Sequence, residues 1–377
     1  MSDRMYVSTR KGLFTIDRDG SRKRNGSGWR ITATSFLGDN VTIVYRDPRD
    51  GTVYAALAHG HFGNKLHRSR DEGHNWEEIT APEYPAPPEG AEPDICAMSG
   101  KPFPWKLDLI WSLAAGAESE PGVLWCGTLP GGLFRSADSG ASWRMVRPLW
   151  DQPARKKWFG GGFDWPGIHS ILVDPRDPRR LIVGVSCGGV WVTSDGGETW
   201  ACRAKGMRAE YMPPEESTDP EIQDPHILVQ CPEHPDDLWT QHHNGVFRTT
   251  DGCESWHEIE HMPVSSFGFA VAVHPIDPET AWFVPAIKDE QRIPVDGKVV
   301  VTRTRDGGRT FDVLREGLPQ DHAYDIIYRH ALDIDESGDR LAFGSSTGGL
   351  WVSENQGDSW KCVSAHLPPI YSIRFVK

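Results

Sequence analysis

The chain has 377 residues, with 40 Lys and Arg against 53 Asp and Glu, a formal net charge of −13 and 38% hydrophobic residues. That composition belongs to a folded globular protein and excludes disorder, and an acidic chain with no Lys/Arg-rich block is a poor partner for nucleic acid or an anionic membrane surface. No apolar run is long enough to span a bilayer, Met1–Lys11 lacks a signal-like apolar core, and seven cysteines without a CxxC pair read as reduced thiols, so a cytoplasmic protein is expected.

The first predicted strand is Met5-Tyr-Val-Ser. It is followed by a phrase that recurs down the chain. A degraded first copy runs from Gly12-Leu-Phe through Asp17 to Trp29. Clear copies follow at Ser69-x-Asp71-x-Gly73-x-x-Trp76, Ser136-x-Asp138-x-Gly140-x-x-Trp143 and Thr193-x-Asp195-x-Gly197-x-x-Trp200. Looser ones lie at Thr249/Asp251/Trp256, with Cys253 in the glycine place, at Thr304/Asp306/Gly308/Phe311 and at Ser353/Asn355/Gly357/Trp360. The hairpins so defined sit near 17–29, 69–76, 136–143, 193–200, 249–256, 304–311 and 353–360. In each, an alternating apolar run enters a tight turn. There an Asp carboxylate accepts turn N–H groups, a glycine supplies positive φ and an aromatic opens the returning strand.

Between phrases the pattern is also regular. His169-Ser-Ile-Leu-Val, Arg180-Leu-Ile-Val-Gly-Val, Gly188-Gly-Val-Trp-Val-Thr and Thr199-Trp-Ala-Cys make four short strands, A to D. Four antiparallel strands repeated radially make a propeller blade, and the count of units predicts an all-β, seven-bladed β-propeller over residues 1–377 as one domain. The final run Ile370-Tyr-Ser-Ile-Arg-Phe reads as an orphan A strand that pairs beside the opening strand in blade 1 and closes the ring. The repeats are similar to the Asp-box, or BNR, repeats of sialidases, xyloglucanases, sortilin-type receptors and photosystem II assembly-factor propellers. That resemblance implies the propeller fold and a structural role for the turn Asp residues. A sialidase would carry an Arg-Ile-Pro element in its first blade and six blades. Here Arg292-Ile-Pro falls in blade 6 of seven, so sialidase activity is not expected.

Function is expected on the end opposite the repeat turns, where long connections gather: 80–108, 148–169, 206–226, 317–325, and the B-to-C loops 58–65, 241–245 and 287–298. Aligned A strands put His169, His226 and His330 at one register, with His242 close by in a loop. Convergent imidazoles suit one divalent metal (Zn, Mn or Fe) on the axis; ordinary hydrogen-bonded pocket histidines are the alternative. The same mouth offers Glu210, Asp289 and Glu290 as acid/base groups, and Lys65, Lys106, Arg208, Lys288, Arg292, Trp165, Tyr324 and His59 as substrate contacts. The expectation is a hydrolase or lyase, glycosidase-like, for a small polar, anionic or carbohydrate-like substrate, with no nucleotide cofactor. The alternative is a non-catalytic propeller that presents its loop face to another protein.

Overall fold

Second strands such as Leu124–Leu129 and Leu181–Val185 are buried at every position. A strand covered on both faces has no use for polar alternation, so it reads as an unbroken apolar run. The outermost strands, such as Glu77–Ile79, are short and exposed, which blunts the sheet edge they form. The computed structural model describes residues 1–19, 28–90, 92–96 and 98–376. Within them lie seven four-stranded antiparallel sheets, one helix of four residues at Arg147–Trp150 and several single 3-10 turns. This is the seven-bladed propeller. Blade 1 joins Ile370–Phe375 to Arg4–Thr9, Gly12–Arg18 and Trp29–Ser35. The closing strand pairs Phe375 with Met5 and Ile373 with Val7, as expected from its alternation.

Each innermost strand packs on that of the next blade around the whole ring. Cores form between blades rather than within them: Leu66 and Ile43 of blade 2 cluster with Leu124 and Phe134 of blade 3, and Ile182 of blade 4 with Leu238 and Phe247 of blade 5.

Six repeat turns share one hydrogen-bond pattern. In the first of them, the Gly73 N–H donates to Ser69 Oγ at 2.8 Å, the Ser69 hydroxyl to Asp71 Oδ1 at 2.7 Å and the Asn75 N–H to Asp71 Oδ1 at 2.8 Å. Asn75 Nδ2 reaches the other carboxylate oxygen at 2.6 Å. Ser142, Thr199, Ser255 and Thr310 repeat that last contact, each just before the anchor aromatic, and in the last turn it is reversed, with Asn355 Nδ2 donating to Ser359 Oγ at 3.0 Å. Two successive residues take positive φ, Glu72 at 58° and Gly73 at 88°. In blade 5 the second is Cys253 at 77°, a non-glycine held there with its side chain buried. The anchors do more than pack under their own hairpins. Trp76, Trp143 and Trp256 donate their indole N–H to Ser35, Thr80 and Arg203 of the preceding blade, so the turn also ties blade to blade. The turn of the copy at 17–29 runs through 20–27, outside the described residues.

The innermost strands carry a feature that positions the axial side chains. In six of them the pairing register slips at the same place, by one residue at Tyr371, Thr42, Trp111, His169 and His226, and across Phe269 and Ala270 in blade 6. A bulge leaves its extra residue out of the ladder and re-aims the side chain. The A strand of blade 7 instead starts at Leu332, and His330 sits in the 3-10 turn Arg329–Ala331 ahead of it. The expected shared register thus holds for His169 and His226 and fails for His330.

Candidate active site

Side chains of the bulge layer in blades 3 to 6 meet one another and Arg329 of blade 7. The His226 ring stacks on Phe269 at 4.4 Å between centroids, Trp111 meets His169 edge-on at 5.7 Å, and the Arg329 guanidinium lies 4.8 Å from the Trp111 ring and 5.3 Å from that of Phe269. Arg329 is buried, with Nε unpartnered among the described residues, and burial lowers its pKa. On one side of this layer lies an axial channel of about 500 Å³, lined by His169, Arg329 and His330 and, toward the other end, by Glu233, Asp335 and Glu336. On the other side a mouth pocket of about 580 Å³ opens among the loops of blades 4 to 6. No residue lines both.

The four-histidine metal set does not gather. His330 Nε2 meets the His169 carbonyl at 2.8 Å, and burial brings the His330 pKa to about 3. His242 is equally spent on backbone: its Nε2 lies 3.0 Å from the Asp224 N–H and its Nδ1 3.2 Å from that of Asn244, with a pKa near 3, again from burial. His169 Nδ1 contacts Ser170 Oγ at 2.8 Å. Only His226 joins a convergent group, and its companions are Asp224 and His243.

That group is built by the blade 5 hairpin. Pro225 of its first strand pairs with His242 of its second, which sets Asp224 against His243, and the His243 N–H donates to the Asp224 carbonyl at 3.0 Å. The Asp224 carboxylate is fully buried. Its Oδ1 accepts the Cys187 N–H at 3.0 Å and the Ser186 hydroxyl at 3.2 Å. Its Oδ2 lies 3.4 Å from His226 Nε2 and 3.4 Å from His243 Nδ1. Burial alone would raise the Asp224 pKa. The charge and hydrogen bonding of His226, with His243 and Arg329 beyond it, overcome that and hold it well below the usual range. Cys187 reaches its place with φ of 46°, a left-handed backbone that aims its N–H at the carboxylate.

Above this floor the pocket wall contains Glu210, Lys288, Asp289 and Glu290, so the three expected acid/base carboxylates and one expected cation share one cavity with Asp224 and His243. Phe159, Tyr211 and Phe267 give it apolar surface. Two further expected cations hold the pocket's own carboxylates, and the others lie elsewhere. Arg208 forms a fork on Glu258 at 2.7 and 2.8 Å and also pairs with Glu210, while Arg292 Nε holds Asp289 Oδ1 at 2.9 Å. Lys65 binds Glu78 at 2.7 Å in the blade 2 hairpin, and His59 lies 3.5 Å from Asp39. Lys106 lines a separate hollow of about 700 Å³ with Tyr84 and Trp105. Trp165 packs on Phe103 at 5.5 Å, pinning its loop to the blade rim, and Tyr324 is exposed away from both cavities. Asp224 was not foreseen. The sequence signal was the pair Asp224-Pro-His226 and His242-His243, which strand alternation splits into one inward and one pocket-facing histidine.

No family model matches the chain. A curated relative, the oligoxyloglucan-reducing end-specific xyloglucanase of Emericella nidulans, is 24% identical over 217 residues, which cover 53% of this chain and 25% of that protein. The chain thus spans a quarter of that relative's length. Among solved structures, the GH74 xyloglucanase of Xanthomonas campestris matches with a TM-score of 0.65 at 19% identity, over all of this chain and 52% of the other. The periplasmic gluconolactonase of Pseudomonas aeruginosa matches with a TM-score of 0.61 at 10% identity, over 99% of both. What they share is the fold. Among the described residues, no helix is long and apolar enough to cross a membrane.

Proposed function

We propose that the chain is a carbohydrate-directed hydrolase that takes a small, polar, sugar-derived substrate into the mouth pocket of blades 4 to 6. The observation that carries this reading is the pocket itself, where Glu210, Asp289 and Glu290 share about 580 Å³ with a buried, oriented Asp224 and with His243. Hydrolysis of a sugar bond needs one group to activate water and another to handle the leaving oxygen. Asp224, fixed through Oδ1, and the imidazoles beside it serve the water. Glu290, exposed and paired only loosely with Lys288 at 3.5 Å, serves the leaving group. Phe159, Tyr211 and Phe267 supply the apolar faces on which sugar rings stack. Support also comes from the relatives: proteins named for xyloglucan and for a gluconolactone share this fold. We read the six turns as Asp-box repeats with a structural role, and the seven free thiols as those of a protein in a reducing compartment.

The test is a panel of aryl glycosides, xyloglucan oligosaccharides and aldonolactones. The wild type is expected to turn over at least one class, and Asp224→Asn to lose at least about 100-fold in kcat/KM with an unchanged melting profile. Failure on the whole panel overturns the hydrolase reading, and full activity in Asp224→Asn overturns the site.

A further inference from the structure

We infer that Asp224, His226 and His243 bind one first-row divalent transition-metal cation at the floor of the mouth pocket. The argument starts from a proton. His226 Nδ1 lies 2.6 Å from the Gly268 carbonyl, which only accepts, so Nδ1 carries the hydrogen. With Nδ1 so committed, Nε2 is the ring nitrogen that faces Asp224 Oδ2, at 3.4 Å. That pairing holds a positive charge between nitrogen and oxygen, either a proton shared by the two or a cation in its place. His243 brings a second ring nitrogen to the same oxygen at the same 3.4 Å.

The spacing fits a metal. Bonds of 2.0–2.1 Å in a tetrahedral arrangement put neighbouring donor atoms about 3.4 Å apart. The three donors all lie within 4.8 Å of one another. In a tetrahedral site the remaining edge must close to about 3.4 Å, a movement of up to about 1.4 Å, which the half-buried His243 ring at the pocket wall can supply. The outer contacts are those a metal site needs. Nδ1–H to a carbonyl fixes the His226 tautomer, and Oδ1 of Asp224 is tied by Ser186 and Cys187, leaving Oδ2 for the cation. Two imidazoles and a carboxylate, with open positions toward the pocket, suit Zn²⁺, Mn²⁺, Fe²⁺ or Co²⁺ rather than Ca²⁺ or Mg²⁺. Arg329, a buried cation drawn to the Asp224 carboxylate, opposes a further positive charge here. The site is therefore weaker than the donors alone would make it.

This assignment is read by binding alone and stands apart from the hydrolase reading. The full chain, stripped with chelator, is titrated with Zn²⁺ by calorimetry and with Co²⁺ by visible absorption. One equivalent is expected, with d–d bands of nitrogen and oxygen ligation. Asp224→Asn and His243→Ala are each expected to weaken binding at least tenfold, Ser186→Ala about tenfold, and His366→Ala, at an exposed loop, not at all. Melting curves check folding, and if His226→Ala fails to fold, the near-isosteric Asp224→Asn and the half-buried His243→Ala carry the test. Uptake that does not saturate at one equivalent, or that is unchanged in those two variants, overturns the proposal. Bound metal without sugar hydrolysis upholds it and defeats the hydrolase reading. Hydrolysis by the stripped protein without metal uptake does the reverse.

Discussion

Ser8 Oγ and Ser372 Oγ stand 2.7 Å apart, buried, joining strands 364 residues distant in sequence. Ser372 Oγ also takes the Val44 N–H of blade 2 at 3.1 Å. The same device recurs one residue after two other bulges: Ser112 Oγ donates to the Ile168 carbonyl at 2.8 Å, and Ser170 Oγ accepts the Leu228 N–H at 3.0 Å. Each links an innermost strand to the next blade. Ser372→Ala leaves the Val44 N–H without its partner and is expected to cost about 1–3 kcal/mol, read as a lower urea midpoint. Removing residues 369–377 bares the inner edge of Arg4–Thr9 and is expected to abolish cooperative unfolding; a truncated chain that melts like the parent would show that the ring does not depend on its closing strand.

The turn carboxylates set an acid limit. Hydrogen bonds from Asn75, Ser142 and Thr310, each just before its anchor aromatic, hold Asp71, Asp138 and Asp306 at about 2, against about 3.9 in an unfolded chain. A depressed folded value contributes stability above the unfolded one and loses it as pH falls through the folded one. Acid unfolding is therefore expected between about pH 4 and pH 2. Asn355 keeps the turn without a charge, its Oδ1 accepting from the Ser353 hydroxyl and the Ser359 N–H and its Nδ2 donating to Ser359 Oγ. Replacing the five turn Asp residues with Asn is thus expected to flatten that limb, measured by circular dichroism across the range.

Gly161 belongs to the loop that covers Asp224. A Cβ there would stand 2.6 Å from Cys187 Sγ and 3.0 Å from Asp224 Oδ2. Gly161→Ala is expected to push the carboxylate out of position and weaken ligand binding at the pocket at least tenfold, while global stability moves little because the loop is outside the blade cores. Unchanged binding would show that the loop yields instead.

Arg329 contributes through two aromatic faces and through the Asp224 charge. Arg329→Met keeps a flexible apolar stem and loses both ring contacts, at about 0.5–2 kcal/mol each. A destabilisation of about 1–4 kcal/mol is expected, with tighter Zn²⁺ binding as the guanidinium charge is removed. Weaker Zn²⁺ binding in a folded variant would mean that Arg329 supports the floor rather than opposing a cation.

The ring was legible in the sequence because its signals are local. Ser69, Asp71, Gly73 and Trp76 lie within one turn, and Ile370–Phe375 announces itself by alternation. The floor of the pocket was not. Its three donors come from the two ends of one hairpin, and which of His242 and His243 faces the pocket follows from the pairing of Pro225 with His242, a register that periodicity does not reveal. His330 was misplaced for a related reason: its run resembles an innermost strand, but the backbone spends it in a 3-10 turn before the ladder begins. Charged rim residues were easy to name and hard to assign, since Arg208 and Arg292 are each taken up by a carboxylate of the chain itself.

Because Arg329, Trp111, His169, His226 and Phe269 stand between the two cavities, and no residue lines both, the ring offers two separate hollows. A molecule held among the loops of blades 4 to 6 therefore touches none of the side chains that line the acid-rimmed hollow at the far end, and the two ends can be altered one at a time.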